Sequence, residues 1–319
     1  MVRAFVVQAI ALFEAAREGK RLALARLMSL VERGGDEARV LGAHTYAQAG
    51  AAYTVGMTGA PGSGKSSLAA ELASVVRSEQ QRLAILAVDP SSPYTGGAIL
   101  GDRVRMQDHV TDDGIYIRSM ATRGHLGGLS LATPQAIRVL DALSWPWILV
   151  ETVGVGQVEV EIAGAADTTI VVVNPGWGDS VQANKAGLME VADIFVINKS
   201  DRKGADDTRR DIQQMLELSS LGEWEPPIVM TVATDQVGAD ELWRTVGEHR
   251  SYLEGSGELQ ARRSLRVQAE LTEIVSQSLE QRVITAMERP ETTELKEKLA
   301  RGEIDPYAAA ARLIDLSDG

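Results

Sequence analysis

The chain has 319 residues, 45% hydrophobic and 24% charged. That balance can bury a sizeable core, excludes a disordered or collagen-like protein, and leaves room for two domains or one large domain with attachments. Lys plus Arg number 32 against 44 Asp plus Glu, a net charge of -12, and Cys is absent. An acidic surface repels nucleic-acid backbones, and lack of Cys removes disulfides, zinc fingers, iron–sulfur clusters and thiol catalysis and fits a reducing, cytoplasmic setting.

Val2, Phe5, Val6, Ala9, Leu12, Phe13 and Ala16 recur at helical spacing, with Glu14, Arg17 and Glu18 beside them. The stretch has the length of a signal-peptide core, but its period predicts an amphipathic helix packed on a core. Leu22, Leu24, Leu27, Leu30 and Val31 predict a second helix stopped by Gly34-Gly35, and a third begins near Asp36 as its N-cap. No apolar run approaches the roughly 18–20 residues that span a bilayer, so no membrane is expected.

The texture changes at Tyr53. Strands are predicted over Tyr53–Thr58, Leu83–Asp89, Gly114–Ser119, Trp147–Thr152, Thr168–Asn174, Ile194–Asn198 and Ile228–Ala233, alternating with helical stretches. Several are apolar without alternation, as strands covered on both faces are. The expected fold is α/β, with a mostly parallel, doubly wound sheet. From Val267 through Leu271, Ile274, Val275, Leu279 and Val283 to Met287 an apolar stripe marks one long helix, ended by Arg289-Pro290; Asp305-Pro306 reads as an N-cap with Pro at the first helical position. The division expected is a helical region over 1–52, the α/β domain over 53–255 and a helical arm over 256–319.

Gly59-Ala60-Pro61-Gly62-Ser63-Gly64-Lys65-Ser66 directly follows the first strand and completes the pattern G-x-x-x-x-G-K-[ST]. Its glycines let successive backbone N–H groups face phosphate oxygens, and the helix that follows adds the positive end of its dipole. Lys65 is expected on the outer phosphates and the Ser66 hydroxyl on Mg²⁺, with Ser67 in the same binding set. Asn198-Lys199-Ser200-Asp201 at a strand's end is an N-K-x-D signature. The Asp201 carboxylate can accept from the N1–H and 2-amino group of guanine, a donor pair adenine lacks. Lys199 can lay its stem over the ring, Asn198 can tie loops together, and the Ala233 N–H can reach the guanine O6.

Two strands end in acids, Asp89 and Glu151. A carboxylate at the second place can hold Mg²⁺ through water, and Gly154 after it can bond the γ-phosphate. Val155 stands where many GTPases place a water-orienting Gln, with Gln157 two positions on as a substitute. The Gly-rich stretch Thr95–Asp102 reads as a switch, with Arg103 and Arg105 as charge stabilisers or surface charges, and His125 lies in a further loop.

These motifs, with Val88-Asp89-Pro90-Ser91-Ser92, Arg118-Ser119-Met120-Ala121-Thr122-Arg123-Gly124 and Glu151-Thr152-Val153-Gly154-Val155-Gly156-Gln157, closely resemble the MeaB/ArgK/MMAA family of GTPases nearly end to end. The resemblance implies a GTP hydrolase that chaperones an adenosylcobalamin-dependent acyl-CoA mutase, coupling GTP hydrolysis to cofactor loading and to protection or rescue of the mutase. It implies that Asp89, Asp102 and Glu151 form the acidic metal and hydrolysis set, and that Gly178–Lys185 is a further switch. Ser180-Val181 and Ala186 depart from the acidic-Leu and Lys of many members. It also implies a homodimer through C-terminal helices, which the apolar stripe fits; the alternative for that stripe is a helix packed on its own nucleotide domain. Other chemistry open to such a loop is a small-molecule or transport-protein kinase, which N-K-x-D opposes, and nickel delivery, which the lack of Cys and His clusters opposes.

Overall fold

The computed structural model describes residues 2–89, 111–121, 132–152, 162, 164–176, 187, 190–218 and 222–317. The chain divides into two compact units, 1–263 and 264–319. The first opens with helices α1 (Val2–Arg17), α2 (Arg21–Arg33) and α3 (Gly35–Tyr46). Gly34, at φ 72°, ends α2 with its N–H on Leu30 and Val31 carbonyls and serves as the N-cap of α3. Asp36 is therefore not the cap; it lies in the first turn, where its charge suits the helix dipole.

Among the described residues seven strands follow: β1 (Tyr53–Thr58), β2 (Leu83–Asp89), β3 (Ile115–Ala121), β4 (Trp147–Thr152), β5 (Thr168–Val173), β6 (Ile194–Asn198) and β7 (Ile228–Thr231). They pair only in parallel, in the order β3-β2-β4-β1-β5-β6-β7. Expected ends shift slightly: β5 stops at Val173, and Ala233 lies beyond β7 in a 3₁₀ turn, Ala233–Asp235.

Strand residues two apart share a face, and here both faces are covered. Ala84, Leu86, Val88, Ile148 and Val150 pack with Phe13, Leu27, Met28 and Leu41 of the N-terminal helices and with α5 (Ala132–Ala142). Leu83, Ile85, Leu149, Val55 and Met57 meet the other layer, formed by α4 (Lys65–Ser78) and α7 (Ala239–Ser256). At the β5–β6 end, Val171, Val173, Phe195 and Ile197 are covered by α6 (Ala205–Leu218) through Ile212 and Leu216. Double coverage explains why these strands read as unbroken apolar runs.

The opening of α8 (Glu258–Met287) is tied to the amino ends of the strands. Arg263 donates to Asp167 Oδ1 and Oδ2 at 3.1 and 2.7 Å, and to the carbonyls of Gly50 and Ala52. Asp141 accepts from the N–H groups of Gly50, Ala51 and Ala52 in the same linker. Asp167 is 1% exposed and also accepts from the Thr54 N–H, so Arg263→Ala removes the guanidinium that offsets the charge of a buried carboxylate. We expect a loss of about 3 kcal/mol and a fall in Tm on the order of 10 °C, read by thermal denaturation.

His249 of α7 is fully buried, bonded through Nδ1 to the Thr168 hydroxyl at 2.8 Å, with Arg262 acting on it electrostatically. Burial pushes its pKa from 6.5 down to about 3. The unfolded chain takes up this proton first, so the stability due to neutral His249 is present above pH 6.5 and is lost as pH falls toward 3. His249→Gln should flatten the decline of Tm across that window.

In the second unit, α9 (Thr293–Ala300) and α10 (Pro306–Ser317) follow the remainder of α8. Asp305 caps α10, its Oδ1 accepting from the N–H groups of Tyr307 and Ala308 at 2.8 and 3.0 Å, as the Asp-Pro pair predicts. Val267, Leu271, Ile274, Val275 and Leu279 are exposed. Among the described residues no helix is long and apolar enough to cross a membrane.

Candidate nucleotide site

The strand order turns back at β1, whose neighbours are β4 and β5. Parallel sheets bind ligands at such a point, beyond the carboxyl ends of the strands. Each functional segment identified in the described part of the sequence leaves the sheet at this edge.

The phosphate loop runs from Gly59 to α4, which starts at Lys65. Gly59 (φ 135°), Gly62 (φ 77°) and Gly64 (φ 94°) hold backbone conformations that side chains disfavour. Space forbids a side chain too: a Cβ on Gly59 would lie 2.0 Å from the Val172 carbonyl oxygen, and one on Gly64 2.2 Å from Asn198 Nδ2. Within the loop the buried Lys65 ammonium donates to the carbonyls of Gly59 and Ala60 at 2.6 and 3.1 Å.

Asn198 ends β6 and is 2% exposed. Its Nδ2 donates to the Ser63 carbonyl at 2.8 Å, and its Oδ1 accepts from the Thr231 hydroxyl and the Ala233 N–H, both at 3.2 Å. One amide thus joins the phosphate loop, the end of β7 and the turn beyond it. The Ala233 N–H, expected on the guanine O6, is engaged by Asn198. Lys199 takes the left-handed conformation at φ 59° and sends its ammonium to the Gly62 carbonyl at 2.6 Å. Its stem therefore runs from the N-K-x-D segment to the phosphate loop, and Asp201 of that segment is exposed.

At the end of β4, Glu151 is buried, and its Oε1 accepts from the Ser66 hydroxyl at 2.7 Å. The next residue, Thr152, donates its hydroxyl to that of Thr58 at 3.2 Å. Asp89 closes β2 at the same edge, its backbone level with Ala121 of β3; its side chain lies outside the described residues. So do Asp102, Gly154, Gln157, Arg103, Arg105, His125 and the segment 178–185.

The structure thus brings together Gly59–Ser66, Glu151, Asn198, Lys199 and Ala233. Sequence reading missed Thr58, Thr152 and Thr231, each fully buried. The available signal was a hydroxyl at the last position of three apolar strands, where a buried polar group needs a hydrogen-bond partner.

The protein-family model described as "Methylmalonyl Co-A mutase-associated GTPase MeaB" matches residues 24–288. A Pyrococcus abyssi protein that carries the name GTPase is 50% identical over 308 residues, which cover 95% of this chain and 95% of its own. The GTPase ArgK of Escherichia coli is 37% identical over 255 residues, 76% of each chain. A solved structure described as a LAO/AO transport system kinase aligns with a TM-score of 0.69 at 24% identity, covering 98% of each chain; a likeness at that identity speaks to the fold.

Proposed function

This chain belongs to the MeaB family of GTPases, and on that premise we propose that it is a Mg²⁺-dependent chaperone of an adenosylcobalamin-dependent acyl-CoA mutase. Hydrolysis of GTP would be coupled to cofactor loading and to protection or reactivation of that mutase. The observation that carries the nucleotide part is the Asn198 amide, which fastens the phosphate loop to the segment holding Asp201. The mutase part is supported by the description of the matching family.

The residues fit a guanine nucleotide with its metal. Ser66 and Glu151 set two hard oxygen donors within 2.7 Å in a buried place, the ligand type Mg²⁺ prefers. Asp89 and, by the sequence motif, Asp102 would complete the acidic set. When bound, Mg²⁺ supplies charge neutralisation on the β- and γ-phosphates. Lys65 would exchange the Gly59 and Ala60 carbonyls for phosphate oxygens. The backbone N–H groups from Gly59 to Ser67 would line the phosphates, Gly154 the γ-phosphate, and Asp201 the guanine edge. Gln157 would orient the attacking water, whose oxygen bonds to the γ-phosphorus as the bridging bond to GDP breaks.

The chain would then have three parts: a helical cap over 1–52, the GTPase domain over 53–255 and an arm over 256–319. Exposed Val267, Leu271, Ile274, Val275 and Leu279 support a homodimer formed through that arm. The Cys-free composition supports a cytoplasmic setting. The test is GTP turnover with Mg²⁺, with and without a purified cobalamin mutase. Stimulation by the mutase that vanishes in Lys65→Ala is expected; equal rates for wild type and variant would overturn the reading.

A further inference from the structure

We propose that Thr152 is a positioning residue for GTP hydrolysis, because the last two residues of β4 bracket the phosphate loop at both of its ends. The inference rests on the GTPase reading and adds to it a residue outside the P-loop, N-K-x-D and acidic sets.

Successive residues of a strand point to opposite faces, and β4 uses that geometry at its end. Glu151 holds Ser66, just after the loop lysine, through a 2.7 Å hydrogen bond. Thr152 holds Thr58, the residue just before Gly59, through a hydroxyl pair at 3.2 Å. Thr58 and Thr152 are both 0% exposed, so neither hydroxyl can turn to bulk water. The pairing lies one step beyond the register Met57↔Glu151 and continues it in side chains.

The other ties on the loop come from elsewhere. Asn198 and Lys199 hold the carbonyls of Ser63 and Gly62, and Gly59 lies against Val172 of β5. Those contacts shape the backbone that meets the α- and β-phosphates, and they remain when Thr152 is changed. The β4 pair has a different consequence: beyond the main-chain ladder that reaches Met57↔Glu151, it holds the end of the strand that carries the Glu151 carboxylate against the strand that leads into the loop. Losing it should leave GDP binding intact and slow the chemical step, in which Glu151 must be correctly placed.

The experiment compares wild type, Thr152→Val, Thr58→Val, the double variant and Thr152→Ser. GDP affinity is read by calorimetry, and kcat and KM with GTP and Mg²⁺. Valine keeps the branched shape and removes the hydroxyl. The expected result is a kcat about fivefold to tenfold lower in Thr152→Val, the worth of one buried hydrogen bond. GDP affinity should stay within about twofold of wild type, since the contacts that set it are untouched. Thr58→Val should match that loss, the double variant should lose no more than either single one, and Thr152→Ser should restore the rate. Wild-type turnover in Thr152→Val, additive losses in the double variant, or GDP affinity falling in step with kcat would each overturn the proposal. With wild type active and Lys65→Ala silent, such a result removes this proposal alone; a wild type without GTP turnover removes the GTPase reading with it.

Discussion

Gly64→Ala is expected to abolish binding of GDP and GTP at micromolar concentrations while leaving the fold in place. Two effects combine at this position. Gly64 sits at φ 94°, where an L side chain costs about 1–2 kcal/mol. The added Cβ would also press to 2.2 Å from Asn198 Nδ2. That amide cannot retreat without giving up its bond to the Ser63 carbonyl and disturbing those from Thr231 and Ala233. At about 1 kcal/mol for each bond, the total is on the order of 3–5 kcal/mol, or about a hundredfold to several thousandfold in affinity. Calorimetry with GDP measures it, with circular dichroism as the control on folding. An affinity within tenfold of wild type would show that the Asn198 tie does not govern the loop.

Asp201→Asn is expected to redirect the choice of base. Guanine presents two donors, N1–H and the 2-amino group, to one carboxylate; an amide meets them with a donor of its own. Sites built around such hydrogen bonds reject a mismatched edge by about 10⁴-fold, because buried polar groups are left unpaired. Xanthine carries an oxygen acceptor where guanine has its 2-amino group, so it should regain much of the loss through the asparagine NH₂. Competition between GDP and xanthosine diphosphate for a fluorescent nucleotide reads both changes. GDP bound as tightly by the variant as by wild type would remove Asp201 from base recognition.

The sheet was legible because its strands are covered on both faces. Ile148, Leu149 and Val150 belong to two different cores, and the sequence therefore shows a run where a half-exposed strand would alternate. The limits of Tyr53–Thr58, Leu83–Asp89, Trp147–Thr152 and Ile194–Asn198 coincide with those read from sequence, because a Gly-rich or polar segment follows each. Helix starts are less sharply marked. Asp36 looked like a cap, but Gly34 takes that place, since the left-handed turn that ends α2 needs a glycine there. The long helix begins at Glu258, before its apolar stripe, because Arg262 and Arg263 contribute charge to Asp193 and Asp167 and interrupt no helical propensity.

At the site, short-range patterns announced Gly59–Ser66 and Asn198–Asp201. What no spacing encoded was how the two segments are tied. The amide of Asn198 meets Ser63 across 135 positions of chain, and only the parallel order β1-β5-β6 places them side by side. The pairing of Thr58 with Thr152 escaped for the same reason: it depends on β4 lying next to β1, which a run of apolar residues does not reveal. The Ala233 N–H, which the sequence points at the base, bonds Asn198 Oδ1 at 3.2 Å, a contact that no spacing announces.

The most direct test of the account is calorimetric titration of the full chain, in Mg²⁺, with GDP and with ADP. Binding of GDP at one site per chain with no measurable heat from ADP is the result the Gly59–Ser66 loop and Asp201 predict. Equal affinity for the two nucleotides, or no heat from either, would contradict it.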